Sequence, residues 1–518
     1  MRILQAHRHT GRRRREGRTS AAARPAGSPG ARLIILALIL CQVAIGALVS
    51  PVAEEPDRLA TEIDAVLADE GLGGAEVGVS VVAPASGRVL YARNNMARLI
   101  VASNQKIVTA AVALRELGPG YEFETSLFAS TPLSVSEGVF DGDLILRGGA
   151  DPTLGSPSAG EEPLEQFERW AELLRSDGVQ RVSGDMVVDD TFLDRRHVHP
   201  DWPRVQLYHP YCAPVSALSL NDNCVTVSVK PGANVGDPAV VALTPAPRFL
   251  KVANRCTTSS KQQTIWFTRA PDSLIIEVGG QVKHKSGGYS GQVTVPEPAL
   301  FAGDVFAGVL KRSGIEVAGK VRLAAGADLE RRSQWQRLAS RRTPLVGVLE
   351  IMLKQSNNVY AEHVIKTVGA VKGGRGSWAA GLARAEAMLK ELHFNADEFE
   401  LADGSGMSRN NRLPSSLICA VLVAMDRSES GDTFRVLLPS SGTDGSLARR
   451  LSDPDYRDRV HAKTGYLRGV GALSGYAETR SGIRVAFSIL INNFKGEGGN
   501  RTMKDIENRI AKAIVDNG

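Results

Sequence analysis

The residue pattern of the chain changes twice, at about residues 121 and 340, and these changes constrain the fold most. Between them, short β-branched runs alternate with Gly, Pro and Asp turns, which is typical of β-rich domains. Three further strands are predicted near the end of the chain, at residues 459–464, 471–476 and 483–491. They need the strands predicted at 76–92 to complete an antiparallel sheet. The sequence therefore predicts a discontinuous α/β (α+β) domain, residues 54–120 and 341–518, with one or two β-rich domains inserted at 121–340.

Helical spacing of apolar residues and local turn signals predict the other elements. An amphipathic helix is expected at 57–70, and the turn Pro84-Ala85-Ser86-Gly87 joins the strands of a hairpin. A single helix, at 163–176, is expected inside the β-rich stretch. Further helices are predicted at 101–117, 345–353, 359–368, 379–392 and 502–515. The helix at 101–117 should begin at Val101 and run for about four turns to the stop at Gly118-Pro119.

Length and charge narrow the function classes. A chain of 518 residues exceeds one ordinary hydrophobic core, so two or three domains are expected. The formal net charge of +6 is concentrated at the N-terminus, because residues 1–33 contain nine arginines and one glutamate, a net +8. The remainder of the chain therefore carries a net charge of −2. This distribution leaves no basic body that would favour nucleic-acid binding.

The N-terminal residues 1–53 are typical of an export signal. The arginine-rich head is followed by an apolar run at 33–49 and by small residues before Glu54-Glu55-Pro56. We expect cleavage between Gly46 and Ala53 and a mature protein in the periplasm or cell envelope. The apolar run is close in length to a short membrane anchor, so weak membrane association is the alternative.

The cysteines and histidines do not predict a metal site. Four cysteines follow the signal, at positions 212, 224, 256 and 419, and no spacing among them resembles a zinc site. A disulfide within the first three is favoured over one that involves Cys419, and buried free thiols are the alternative. His197 and His199 lack further ligands nearby in the sequence. No metal and no cofactor are expected.

A serine and a lysine lie three residues apart in Ser103-Asn104-Gln105-Lys106. Positions i and i+3 of a helix share a face, so the hydroxyl of Ser103 and the amine of Lys106 can meet. A buried lysine with a lowered pKa can take the proton of a serine and make it a nucleophile. At the first turn of a helix, free backbone N–H groups can also stabilise an oxyanion. The pair is common by chance and requires partners.

Two later motifs supply those partners. Ser356-Asn357-Asn358 provides a second hydroxyl for proton relay and an amide for a substrate carbonyl. Lys463-Thr464-Gly465, at the end of a predicted strand, can bind a substrate carboxylate through the lysine ammonium and the threonine hydroxyl. The glycine would let an extended substrate lie close to the strand.

In this order, the three motifs resemble the Ser-x-x-Lys, Ser-x-Asn, Lys-Thr-Gly set of β-lactamases and penicillin-binding proteins. The 249 residues between Lys106 and Ser356 are too many for a class A β-lactamase. Such an insert resembles the class C low-molecular-mass penicillin-binding proteins, the penicillin-binding-protein-4 type of D-alanyl-D-alanine carboxypeptidase/endopeptidase. Four other stretches, within a resemblance that covers about residues 57–516, are also similar to that family: residues 149–154, 213–218, 403–408 and 438–447.

The resemblance implies a penicillin-binding/β-lactamase-like transpeptidase fold and a role for each motif residue. Ser103 would attack a D-Ala-D-Xaa bond of a peptidoglycan stem peptide, with Lys106 as base and Ser356 as proton carrier to the leaving amine. Asn358 would hold the acyl-side amide. Lys463 and Thr464 would bind the terminal carboxylate of the substrate.

The same resemblance implies an oxyanion hole made by the backbone N–H groups of Ser103 and Tyr466, with Gly465 between Thr464 and Tyr466 in the substrate-binding strand. β-Lactam antibiotics would act as inhibitors by acylating Ser103. The run Asp403-Gly404-Ser405-Gly406 would rim the pocket or form a plain turn, and it is not assigned a catalytic role.

Two other functions fit parts of the sequence. A β-lactamase would need a dedicated deacylating carboxylate, and no glutamate in the sequence lies in a matching motif. A cell-wall-binding scaffold with a vestigial site would have no need of an intact Ser103, Lys106, Ser356, Asn358 and Lys463. An exported serine DD-peptidase that acts in cell-wall remodelling is therefore favoured.

Overall fold

A computed structural model describes residues 58–68 and 72–518, and residues 58–518 form one compact unit. The predicted export signal at 1–53 and residues 54–57 lie outside the described residues. The helices are α1 (Arg58–Leu67), α2 (Gln105–Leu117), α3 (Glu165–Ser176), α4 (Pro298–Arg312), α5 (Gly326–Glu330), α6 (Leu345–Lys354), α7 (Asn358–Lys372), α8 (Trp378–Glu391), α9 (Ser415–Asp426), α10 (Gly431–Leu437) and α11 (Asn500–Asn517). None of these helices combines the length and apolar character that crossing a membrane requires.

Twenty-four strands are found in the described residues. They are β1 (Glu76–Val82), β2 (Val89–Arg93), β3 (Leu99–Ile100), β4 (Glu122–Ala129), β5 (Val135–Ser136), β6 (Val139–Phe140), β7 (Leu144–Arg147), β8 (Arg181–Val182), β9 (Met186–Asp189), β10 (Cys224–Lys230), β11 (Val240–Thr244), β12 (Lys251–Asn254), β13 (Thr257–Ser259), β14 (Trp266–Thr268), β15 (Ile275–Gly279), β16 (Gln281–Lys283), β17 (Tyr289–Thr294), β18 (Glu316–Val317), β19 (Val321–Leu323), β20 (Gln336–Pro344), β21 (Arg412–Leu413), β22 (Val460–Leu467), β23 (Val470–Glu478) and β24 (Arg484–Asn492).

A five-stranded antiparallel sheet joins the two ends of the chain in the order β2-β1-β24-β23-β22. The strands near residues 76–93 thus complete the C-terminal sheet, with Val79 opposite Ile489. Successive side chains of a strand point to opposite faces. In β23, Ala472 packs into the core that contains α2, whereas Leu473 packs into the core that contains α1 and α11. Burial on both faces explains why β23 and β24 are almost entirely apolar.

The segment between the first two motifs contains the remaining larger sheets. Two have the orders β19-β9-β7-β4-β20 and β18-β8-β6-β5, and smaller sheets are formed by β10 to β17. The strands at the two ends of the segment pair with each other, with Glu122 of β4 opposite Pro344 of β20. The chain therefore leaves and re-enters the flanking residues at one place. The division into a catalytic domain and inserted domains stays a prediction.

The expectation of a single helix in this segment is wrong. Besides α3, it contains the short α5 and the 15-residue α4, whose Phe301 and Phe306 join Trp170 of α3 in a separate hydrophobic core. Helix α9, which no sequence pattern above predicted, packs against β24 and β1. The four cysteines of the described residues, at positions 212, 224, 256 and 419, are all free and buried, so the favoured disulfide is absent and the alternative applies.

Candidate active site

The predicted nucleophile lies on a tight turn. Ser103 belongs to a 3-10 turn, Ala102–Asn104, that follows β3 and precedes α2, so the expected continuous helix from Val101 is wrong. Ala102 has φ of 46°, a left-handed conformation that costs a non-glycine residue about 1 to 3 kcal/mol. The turn is held from the third motif, because the Asn104 side-chain amide donates to the Lys463 carbonyl at 2.9 Å.

Lys106 is the centre of the site. Its Nζ lies 3.0 Å from Ser103 Oγ, 2.7 Å from Asn358 Oδ1 and 2.8 Å from the carbonyl oxygen of Ser405. The side chain is fully buried. This burial lowers the pKa of Lys106 to about 7, although the nearby carboxylates of Glu362 and Asp403 act in the opposite direction. A lysine of this kind is neutral in a large fraction of molecules near pH 7, so its nitrogen can accept the proton of Ser103.

The second lysine is held by the second motif. Lys463 Nζ donates to Ser356 Oγ at 2.8 Å and to the Thr464 carbonyl oxygen at 2.8 Å. Ser356 occupies the short connection between α6 and α7 with φ of 58°, another left-handed non-glycine residue. Lys463 is fully buried, and burial together with the positive charge of Lys106 lowers its pKa well below the usual value. The three motifs, separated by hundreds of residues in the sequence, therefore converge on two buried lysines.

Asn358 differs in its contacts from the expectation. Its oxygen accepts from Lys106, and its amide nitrogen donates to the Tyr211 carbonyl at 3.0 Å and contacts Met407 Sδ at 3.6 Å. The side chain is thus engaged with the protein, chiefly in positioning Lys106. Its predicted contact with the substrate amide stays a prediction.

The residues predicted to bind substrate occupy β22 beside the nucleophile. Thr464 Oγ1 donates to Ser446 Oγ at 2.7 Å, and the side chain of Tyr466 is exposed. A Cβ atom added to Gly465 would lie 3.1 Å from both the Ser103 amide nitrogen and the Val101 carbonyl oxygen. The structure thus explains why residue 465 is a glycine independently of substrate binding. The strand lies directly against the nucleophile turn and leaves no room for a side chain.

The loop at residues 403–408 belongs to the site, and reading it as a plain turn is wrong. Ser405 supplies the carbonyl that accepts from Lys106. Asp403 is fully buried and accepts hydrogen bonds from the backbone N–H groups of Gly406 and Ser408 at 2.7 Å each and from Trp202 at 3.1 Å. A Cβ on Gly406 would overlap the carbonyl of Ala102 at 1.7 Å, so the loop packs on the nucleophile turn.

Glu362 is the residue that sequence reasoning missed altogether. It is fully buried on α7, and its carboxylate accepts from the backbone N–H groups of Gly404 and Ser405 at 2.9 Å each and from Trp378 Nε1 at 2.7 Å. Burial, reinforced by the charge of Asp403, raises the pKa of Glu362. Its position in the sequence could have indicated this role, because Glu362 lies four residues after Asn358, and residues i and i+4 lie on one face of a helix.

The geometry is that of serine-based acyl transfer without a metal ligand set. In residues 58–68 and 72–518, no three His, Cys, Asp or Glu side chains are grouped to hold a metal ion. His199 Nδ1 instead accepts from the Asp201 backbone N–H at 3.3 Å. A nucleophile, a lysine of lowered pKa and a second hydroxyl–lysine pair are assembled, which is what proton transfer to and from a serine requires.

Similarity to known proteins extends over most of the chain. The model of the D-Ala-D-Ala carboxypeptidase 3 (S13) family matches residues 59–514. The D-alanyl-D-alanine carboxypeptidase of Actinomadura sp. (strain R39) is 34% identical over 472 residues, which cover 88% of this chain and 85% of that protein. The D-alanyl-D-alanine carboxypeptidase DacB of Haemophilus influenzae is 26% identical over 408 residues, which cover 77% and 82%.

Solved structures with the same architecture exist. Penicillin binding protein 4 (dacB) of Haemophilus influenzae has a TM-score of 0.74 at 23% identity, covering 88% of this chain and 99% of that one. A structure of the same protein complexed with a β-lactam has a TM-score of 0.70. At this identity the likeness concerns the fold, and it confirms the predicted penicillin-binding/β-lactamase-like architecture.

Proposed function

Because the chain belongs to the D-Ala-D-Ala carboxypeptidase 3 (S13) family, we propose that Ser103 cleaves the terminal D-Ala-D-Ala bond of peptidoglycan stem peptides through an acyl-enzyme. Family membership confirms the resemblance drawn from the three motifs and makes the chain a serine peptidase of the D-Ala-D-Ala carboxypeptidase class. The observation that carries the proposed mechanism is the 3.0 Å contact between Ser103 Oγ and a fully buried Lys106.

Acylation follows from the contacts of the two lysines. Ser103 Oγ attacks the carbonyl carbon of the penultimate D-Ala while its proton passes to the neutral Nζ of Lys106. Ser356 Oγ gives its proton to the leaving amine and is reprotonated with the proton that Lys106 took from Ser103, so Lys106 becomes neutral again. Free D-Ala departs and the acyl group stays on Ser103. A water molecule then attacks the ester carbonyl carbon and gives a proton to Lys106. The bond to Ser103 Oγ breaks, Lys106 passes the proton to that oxygen, and the shortened peptide leaves with a new terminal carboxylate.

Substrate recognition fits the charge state of Lys463. Burial and the charge of Lys106 disfavour the protonated form of Lys463. A substrate carboxylate beside Lys463 would restore the positive charge, because an opposite charge nearby raises the pKa of a lysine. The Thr464 hydroxyl, half-buried beside it, would complete the carboxylate site. The terminal carboxylate would therefore bind next to Ser356, the group that protonates the leaving amine.

Reaction with a β-lactam tests this mechanism directly. A β-lactam would acylate Ser103 and leave its amine tethered, so the adduct should persist. Purified protein exposed briefly to benzylpenicillin should gain one drug mass, and Ser103→Ala should gain none. Ser86→Ala, a change of an exposed hairpin serine, is the matched control and should react as the wild type does. No adduct on the wild type would refute the proposal, and rapid loss of the adduct with release of hydrolysed drug would support a β-lactamase instead.

We also propose that the enzyme is exported and acts on cross-linked as well as linear stem peptides. The first part rests on the arginine-rich head and the apolar run at 33–49. N-terminal sequencing of the protein recovered from the cell envelope should give a start between residues 47 and 54, and an intact N-terminus would leave the anchored form. For the second part, a D-Ala-diaminopimelate cross-linked dimer should be split by the wild type and not by Ser103→Ala. Release of D-Ala from linear peptides alone would limit the enzyme to carboxypeptidase activity.

A further inference from the structure

Residues 404 and 405 are clamped between two helices, close to the catalytic lysine. From α7, the carboxylate of Glu362 accepts from the N–H groups of both residues at 2.9 Å. From α2, Thr109 Oγ1 donates to the Gly404 carbonyl oxygen at 2.7 Å. Thr109 and Lys106 are three residues apart on α2 and share a face. The clamp therefore uses one helix to orient a peptide toward a side chain on the other.

The oriented group is the Ser405 carbonyl. Glu362 fixes the N–H of Ser405, and the carbonyl oxygen of the same residue accepts from Lys106 Nζ at 2.8 Å. A non-glycine residue at 406 would overlap Ala102, so this loop has no room to move toward the nucleophile turn. Without Glu362, the buried amides of Gly404 and Ser405 would lose their acceptor, and the loop would have to rearrange to satisfy them.

We propose that Glu362 is a positioning residue for acylation, which aims the Ser405 carbonyl at Lys106 and sets the charge in which Lys106 exchanges its proton. This inference rests on the proposed role of Lys106 as base. The carboxylate of Glu362 accepts its hydrogen bonds from Trp378 and the two loop amides, and not from Ser103 or Lys106. Its effect on the reaction therefore passes through the loop and through its charge.

The titratable groups that face this region come from every element packed on it, and they include Lys366 of α7, on which Glu362 acts, and His199, on which Asp403 acts. Lys106 comes from α2, Lys463 from β22, Asp403 from the loop and Glu362 from α7. Lys366, one turn further along α7, is paired with Asp194 at 2.8 Å. The carboxylates of Glu362 and Asp403 favour the protonated form of Lys106, against its burial. Removing the charge of Glu362 should therefore lower the pKa of Lys106 further.

Loss of Glu362 should change the pH dependence of acylation as well as its rate. Acylation needs neutral Lys106, so in the wild type the rate constant of acylation should fall about tenfold per pH unit below about 7. In Glu362→Gln this acidic limb should move to lower pH, because the carboxylate of Glu362 favours protonated Lys106. The shift should be smaller than a fully ionised carboxylate would give, since burial raises the pKa of Glu362 itself to about 7. The plateau at higher pH should fall by about tenfold or more, because glutamine cannot accept from all three donors of Glu362.

Two variants separate positioning from a general loss of stability. Glu362→Asp keeps the charge but withdraws it by one methylene, so the plateau should fall while the acidic limb stays in place. Glu116→Gln removes a carboxylate that is 10% exposed, ten residues along α2 from Lys106 and so about 15 Å away. It should change neither the limb nor the plateau. The measured quantity is the second-order acylation rate with a fluorescent penicillin from pH 5 to 9, on protein shown to be folded by circular dichroism.

The outcomes distinguish this inference from the proposed function. If the wild type is not acylated at Ser103, the proposed function fails. If the wild type shows the acidic limb and Glu362→Gln shows it unmoved with a lowered plateau, the charge of Glu362 does not act on Lys106 and the proposal is refuted. A limb that moves to higher pH would refute it as well.

Discussion

Gly465→Ala tests whether the third motif holds the nucleophile in place. The added Cβ would lie 3.1 Å from the Ser103 amide nitrogen, from the Val101 carbonyl oxygen and from the Cβ of Ala472. These atoms belong to backbone or to a buried strand partner, so none can swing aside as the end of a flexible side chain would. β22 and the nucleophile turn must therefore move apart by a few tenths of an ångström.

The size of the effect follows from this displacement. A misplacement of about 1 Å costs roughly a hundredfold in rate, so a few tenths should cost about tenfold, or about 1.4 kcal/mol in the barrier. The free energy of unfolding should change less, at most by the lower end of the about 1 to 3 kcal/mol that overpacking costs. Activity should thus fall more than stability does.

The kinetics of acylation separate two explanations of the glycine. If the methyl group displaces Ser103, the first-order acylation constant falls while the dissociation constant of the initial complex with penicillin is unchanged. If it instead obstructs the substrate along β22, as the sequence suggested, the dissociation constant rises. Stopped-flow mixing with a fluorescent penicillin at several concentrations measures both constants. Gly287→Ala, where an added Cβ meets no atom within 4 Å, is the matched control.

A Gly465→Ala enzyme that acylates within twofold of the wild type in both constants would refute the reasoning. A rise in the dissociation constant alone would show that the glycine makes room for substrate and not for Ser103. A melting temperature lowered by more than the overpacking range allows would show that the added methyl group disturbs the fold more than this local displacement predicts.

Three further predictions concern stability and thiol chemistry. Arg450→Ala should lower the free energy of unfolding by about 3 to 5 kcal/mol in urea titrations, since it strands Glu507, whose side chain is 2% exposed and 2.9 Å from the guanidinium; a loss below 1 kcal/mol would contradict this. Gly347→Ala on α6, where an added Cβ meets nothing within 4 Å, should raise it by up to about 1 kcal/mol, seen as a higher melting temperature. The four buried free cysteines should react with Ellman's reagent only after unfolding, and then all four; fewer would reveal a bridge.

Motif spacing predicted the centre of the site because the chemistry is local within each motif. Lys106 reaches Ser103 through an i, i+3 relation, which holds even though Ser103 lies in a 3-10 turn. Ser356 and Asn358 lie close together at the start of α7, but their partners, Lys463 and Lys106, come from the other two motifs. The five-stranded sheet explains why Lys463 contacts Ser356. β22 is the edge strand that brings Lys463 beside the nucleophile turn.

Helices α4 and α9 were missed for different physical reasons. In α4, Pro298 at the first turn, Lys311 and Arg312 in the last turn and Gly314 after it are ordinary start and stop signals, overlooked beside the surrounding β-branched runs. In α9 no periodicity was available, since most of its side chains are buried. A helix that is apolar on most sides offers little contrast between faces. Its existence depends on the sheet that it covers.

The acidic residues near Lys106 could not be predicted from the motifs. A buried protonated lysine needs a negative partner, because an isolated buried charge is costly. Lys106 has two such partners nearby, Glu362 and Asp403. The sequence gives the lysines but not the carboxylates, since Glu362 and Asp403 meet Lys106 only after α2, α7 and the 403–408 loop have packed. Glu362 differs from Asp403 in one respect. Its place one turn after Asn358 follows from helix geometry alone, so the face of α7 that bears a motif residue was the place to search for its partner.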